Sequence, residues 1–238
     1  LFMSKSNQAV APVEPVNTLP AVDALPDFLK GKDDRGNENV GDQVEIPRLK
    51  LLQKMSGEVD KNDPNHVEGA EPGLFLNKLT NELLETIHVI SINFMVEFVV
   101  WRKRENGGGK QGSFSTRQEA DKFVADMGEG IAAQMDIQEN HQHLVLVYDE
   151  NDGKLRSTPF IIDMSSTKLR VSRNWNSQLL TRGGERFSTI WRFAPTPMSN
   201  DKGSWVNLKA EYVGFVASEE DYKRAEELYE STKGGTIH

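Results

Sequence analysis

The chain has 238 residues, 37% of them apolar and 27% charged, with a formal net charge of −8 and no cysteine. That length suits one large domain with a real core, and the composition excludes a membrane-embedded or collagen-like chain. Without a thiol there is no disulfide framework, no thiolate-bound zinc or iron–sulfur cluster and no cysteine nucleophile, which fits a reducing cytoplasm.

Residues 1–45 carry Pro12, Pro15, Pro20 and Pro26 and then a polar run over 31–42, with no helical or strand period. They read as a flexible tail, or as an arm exchanged between copies in a homo-oligomer. The alternation of apolar and basic residues from Pro47 to Gln53 predicts a half-buried strand, so residues 46–238 read as a single α+β domain. Strands are predicted over 73–77 and 86–101, around a turn at 80–82, and the second is rich in β-branched residues. The basic run Arg102, Lys103 and Arg104 then leads into the glycine-rich stretch 106–110, a charged surface loop.

Thr116 with Glu119 forms a capping-box signature, and Ala120, Phe123, Val124 and Met127 give the helix an apolar face before Gly128. Residues 144–148 and 155–164 read as a hairpin across the turn 149–153. A helix is predicted over 166–180 with Gly183 past its end, then strands over 187–193 and 205–216. Ser218 with Asp221 opens a last helix that stops near Gly234. The fold class is therefore α+β, a mainly antiparallel sheet with two to four helices and not a standard OB barrel.

Catalytic signatures are missing, so no enzyme activity and no cofactor are expected. The run Gly107 to Ser113 has glycines and a lysine but not the spacing of a phosphate-binding loop. His141 and His143 share a strand face without an evident third ligand, so they read as solvent-facing residues and not as a metal site. Residues 149–153 lack the distal glutamate of a calcium loop and read as a turn.

Charge is unevenly distributed. Lys plus Arg minus Asp plus Glu gives −7 for 1–98, +4 for 99–117, −7 for 118–155, +5 for 156–212 and −3 for 213–238. All four tryptophans lie in the two basic blocks. Binding a single strand regardless of its sequence needs cations along the phosphates and flat faces on which unpaired bases stack, each worth ~1–3 kcal/mol. The candidate phosphate contacts are Arg102, Lys103, Arg104, Lys110, Lys168, Arg170, Arg173, Arg182, Arg186, Arg192, Lys202 and Lys209. The candidate stacking groups are Trp101, Trp175, Phe187, Trp191, Trp205 and Tyr212. Strand tryptophans are commonly core residues, and alternation in Trp191, Arg192 and Phe193 sends the cation to the opposite face from the rings.

The segments 47–53, 69–73 leading to Asn77 and 80–82, and Val100-Trp101-Arg102 before the glycine loop resemble a widespread bacteriophage protein family. Residues 172–177 and 201–205 continue the likeness, which spans about 46–232. The function attached to it is that of the single-stranded DNA-binding RNA polymerase cofactors (Drc) of podoviruses with a virion RNA polymerase. The resemblance implies a non-enzymatic single-strand binder that assists the phage RNA polymerase at melted promoters or acts in replication, in the host cytoplasm and away from membranes. An acidic protein–protein adaptor or inhibitor of a host enzyme, and a metal-dependent nuclease, are the alternatives.

Overall fold

The β-branched run that begins at Ile87 forms the longest strand of the molecule, and the sheet is arranged around it. The computed structural model describes residues 44–201 and 203–233. The chain divides into two units, 1–44 and 45–238, and the second is described here. The arm predicted at 1–45, up to residue 43, the stop at Gly234, and Lys202 lie outside the described residues.

In chain order the elements are β1 (Arg48–Leu51), β2 (Phe75–Asn77), β3 (Leu83–Leu84), β4 (Ile87–Arg102), β5 (Lys110–Phe114), α1 (Arg117–Asp126), α2 (Glu129–Ala132), β6 (Met135–Tyr148), β7 (Phe160–Ser165), α3 (Leu169–Arg182), β8 (Thr189–Asn200), β9 (Gly203–Phe215) and α4 (Glu219–Thr232). The strands form one open, curled sheet in the order β3-β2-β1-β7-β6-β4-β8-β9. Every pairing is antiparallel except that of β1 with β7. The protein is thus an α+β molecule built on a half-barrel, as its strand and helix signals imply.

One edge of β4 pairs with β6 from His88 to Arg102, with a bulge between Ser91 and Asn93. The other edge is shared: Ile87 to Ile90 pair with β8, and Phe98 to Trp101 pair with β5. Between them, Arg186 Nε donates to Ser91 Oγ at 2.8 Å, and Asn93 Nδ2 to the Thr232 carbonyl at 3.4 Å. The capping box at Thr116 forms as the sequence predicts, with Glu119 N–H donating to Thr116 Oγ1 and Thr116 N–H to the Glu119 carboxylate.

Strand alternation gives the sheet two apolar faces. On one, Leu49, Phe75, Val89, Val145, Ile162 and Phe193 surround Trp175 and Leu179 of α3. On the other, Ile90, Ile92, Leu144, Leu146 and Ile161 meet Phe187 and the Ala225 face of α4. A smaller cluster of Val100, Ala120 and Met135 seats α1 at the far end of β4 and β6.

The ribbon of β8 and β9 runs beyond Ile87 and curls back toward β1. There Gln53 stands in for a missing strand: its amide nitrogen, Nε2, donates to the Val206 carbonyl, and Val206 N–H donates to Gln53 Oε1, both at 3.0 Å. Val206 therefore points its backbone groups away from β8, and its partner Pro197, like Pro195 opposite Leu208, points its own away from β9. Neither proline has an N–H to offer on that margin.

Replacing Gln53 by Ala strands both Val206 groups, each worth ~1–3 kcal/mol when buried without a partner. Because Val206 is only partly buried, the expected loss of stability is about 1–3 kcal/mol in total, read as a lower urea midpoint at unchanged slope.

Candidate nucleic-acid interface

Three of the six rings expected to stack bases are core residues. Trp175 and Trp191 are 0% exposed and Phe187 is 3%. Trp175 packs edge-on against Phe193, with centroids 4.7 Å apart, and tilted against His143 at 4.6 Å. Trp191 donates its Nε1–H to Thr189 Oγ1 at 2.8 Å, and Phe187 packs on Tyr222 and Tyr229 of α4. These three cannot act as platforms: Trp191 is turned inward on β8, Trp175 lies on the face of α3 that packs on the sheet, and Phe187, in the turn before β8, is covered by α4.

Several cations are likewise committed. Arg173 donates to both carboxylate oxygens of Glu139, at 2.9 and 3.1 Å. Arg192 and Lys209 share Glu211, at 2.8 and 2.6 Å. Burial lowers the Lys168 ammonium below its usual range, and Asp163 only partly counters that. Burial also pushes Arg186 down to about 10. Its guanidinium serves Ser91, Asn176 and His143.

His141 and His143 are buried, 4% and 0% exposed, and not solvent-facing. They belong to a chain of hydrogen bonds that the sequence does not announce. Arg186 donates to His143 Nδ1 at 3.2 Å, which leaves the proton of that ring on Nε2, 2.7 Å from Ser172 Oγ. Ser172 in turn lies 2.6 Å from His141 Nδ1, and His141 Nε2 lies 2.8 Å from Glu139 Oε1. Assigning the hydrogens in that direction uses every group from Arg186 to Glu139. The series resembles an acid–histidine–serine arrangement, but Ser172 is 0% exposed and its oxygen also receives the second imidazole. It ties α3 to the sheet. On the opposite face, Asn140 Nδ2 donates to Glu97 at 2.9 Å and to Asp163 at 2.8 Å, and Arg48 donates to Asp163 at 2.6 Å. Among the described residues no three His, Asp or Glu side chains converge as metal ligands.

Two places keep an accessible ring beside an uncommitted cation. At the far end of the sheet Trp101 is 38% exposed and stands directly opposite Lys110 across the β4–β5 pairing. Lys103, Arg104 and Lys110 are exposed there and Arg102 is half-buried; none of the four has a carboxylate partner among the described residues. The Lys103 ammonium instead donates to the Ala133 carbonyl at 2.8 Å. At the rim of β9, the Arg182 guanidinium lies 3.6 Å from the centroid of Tyr212. Arg170 is exposed on α3. Trp205 is half-buried in the β8–β9 ribbon, opposite Met198. Trp101 lies fourteen residues beyond Ile87 along β4, about 45 Å of strand path, while Trp205 lies past the other end, so the two cannot serve one short ligand.

Over residues 18–238 the chain matches the Pam3 phage gp34-like protein family. It belongs to that bacteriophage family. No match is found among curated proteins. The sequence resemblance thus leads to a phage protein, and it is the gp34-like family that the chain fits. Among the described residues of this gp34-like protein, no helix is long and apolar enough to cross a membrane. Sequence reading of the gp34-like chain missed β5 and the extension of β6 through 135–143, where polar residues hide the strand pattern. It also missed Phe215, 58% exposed beside Tyr212, whose only signal was its place two residues past Val213 on a predicted strand.

Burial holds the His143 imidazole well below its ordinary value of 6.5, with smaller contributions from Arg186 and His141. Its neutral form is favoured in the fold, so the unfolded chain binds the extra proton and stability is lost as the pH falls below about 6.5. The urea midpoint is expected to be lower at pH 5.5 than at pH 7.5. A His143→Leu variant should show a shallower change over that interval, which lies above the range where carboxylates titrate.

Proposed function

We propose that this phage protein is a non-enzymatic, sequence-independent single-stranded DNA-binding protein that acts in phage transcription or replication and takes hold of its ligand at the end of the sheet where β4 turns into β5. The supporting observation is the group Arg102, Lys103, Arg104 and Lys110, gathered at one end of the sheet without carboxylate partners among the described residues, with Lys110 directly opposite the exposed indole of Trp101. Several other cations are paired with acids, at Arg173, Arg192, Lys209 and Lys223. Four cations without an acidic partner at the end of the sheet that also carries one accessible flat ring match the chemistry of a polynucleotide whose phosphates are continuous and whose bases are unpaired.

The glycine-rich connection supports this reading. Gly107, Gly108 and Gly109 all have positive φ, so the turn that presents the cations is one that side-chain-bearing residues rarely adopt. It adds charge without a bulky side chain to shield it. The phage origin of the family fits a role during infection.

Fluorescence anisotropy of labelled oligo-dT across a salt series tests the proposal. With about four phosphates neutralised, log K should fall with log salt at a slope near −3. Replacing Lys103, Arg104 and Lys110 together by Gln should reduce that slope by about 2 units and weaken binding at low salt. Salt-independent binding, or equal affinity for duplex, overturns the reading; magnesium-dependent loss of the oligonucleotide would mark a nuclease instead.

A further inference from the structure

We propose a second contact for the same ligand, a base-stacking step made by Arg182, Tyr212 and Phe215 on the α3 side of the sheet; this rests on the single-strand reading above. The step is created by a bulge. Trp191 faces Tyr212 and Thr189 faces Phe215, with the register shifting between Ile190 and Trp191 so that Val213 is the extra residue. Without that extra residue Tyr212 and Phe215, three apart, would point to opposite faces of β9. With it, both rings lie on the α3 side, their centroids 6.1 Å apart at an interplanar angle of 81°.

Arg182, the last residue of α3, covers the Tyr212 ring with its guanidinium carbon 3.6 Å from the centroid and is itself exposed. Among the described residues it has no carboxylate partner. A guanidinium held against a ring turns its second flat face outward and its N–H groups sideways, which suits an unpaired base above and phosphate or base oxygens at the margin. Phe215 adds an apolar wall that remains 58% exposed although nothing in the fold needs it there. A core lid over Trp191, 5.5 Å from the same guanidinium, would require Arg182 but not an exposed Phe215.

The two contacts are far apart. Tyr212 connects through Trp191 to Val89 on β4, twelve residues or about 40 Å of strand path from Trp101. They also lie on opposite faces: Trp101 pairs with Asp136, on the face of Asn140, whereas Tyr212 shares the face of Trp191 and α3. A strand that reaches both must pass round the sheet, so long oligonucleotides gain from joining the two sites and short ones occupy either alone.

The test uses the full chain with oligo-dT carrying 5-iodouracil, cross-linked by light and mapped to peptides, alongside anisotropy with short and long oligo-dT. Cross-links at both Trp101 and Tyr212 or Phe215 are expected. Phe215→Ala and Arg182→Gln should each weaken long oligo-dT by about fivefold or more with the thermal midpoint unchanged. Cross-links at Trp101 alone, with unaltered affinity in both variants, overturn this inference and leave the β4–β5 reading standing. Cross-links at Tyr212 or Phe215 alone keep the inference and remove that reading. Absence of single-strand binding, or equal cross-linking of duplex at 212–215, overturns the inference.

Discussion

The pairing of β4 with β6 over almost their whole lengths sets the terms for the rest of the molecule. Strands of sixteen and fourteen residues are too long for one apolar layer to cover. Near Val89 and Val145 they are sealed by α3 on one side, and near Ile90 and Leu144 by α4 on the other. Farther along, β6 reads Glu139, Asn140, His141, Gln142 and His143, and four of these are buried. Buried polar groups need partners. On one face Ser172 and Arg186 supply them, and on the other Glu97 and Asp163 do. The position of α3 on the sheet thus follows from hydrogen bonds as much as from the fit of Trp175.

The elements that could be read from the sequence are those with a local signature. The capping box at Thr116, the apolar period before Gly183 and the β-branched run after Ile87 each carry their own evidence, and α1, α3 and β4 follow. Residues 135–143 carry none, because a strand whose hidden side chains are histidine, asparagine and glutamine has lost the apolar alternation on which such reading depends. Pairing also defied chain order. The strand over 86–101 does not lie beside 73–77, since the two-residue β3 takes the place next to β2 and β4 moves to the middle of the sheet.

The charge blocks identify where cations are dense but not which are free. In the block 156–212, Arg173, Arg192 and Lys209 find acids across strands or from strand to helix, contacts that no linear count reveals. In the short block 99–117 only Glu105 accompanies five basic residues, and among the described residues only Arg117 meets an acid, Asp121 one helical turn on. Tryptophans followed the same division. Trp175 and Trp191, at the contact of α3 with the sheet, became core, Trp205 is half-buried in the β8–β9 ribbon, and Trp101, at the end of β4 past the reach of α3 and α4, kept a surface.

The two prolines on the outer margin of β8 affect how copies of the protein meet. A long ribbon that projects past its neighbours is a template on which identical chains can join edge to edge and grow into filaments, a hazard that rises with concentration. Pro195 and Pro197 withhold the donors such growth would require on one margin, and the Gln53 amide occupies part of the other. Identical copies are thereby denied part of the hydrogen-bonding edge through which this ribbon could polymerise.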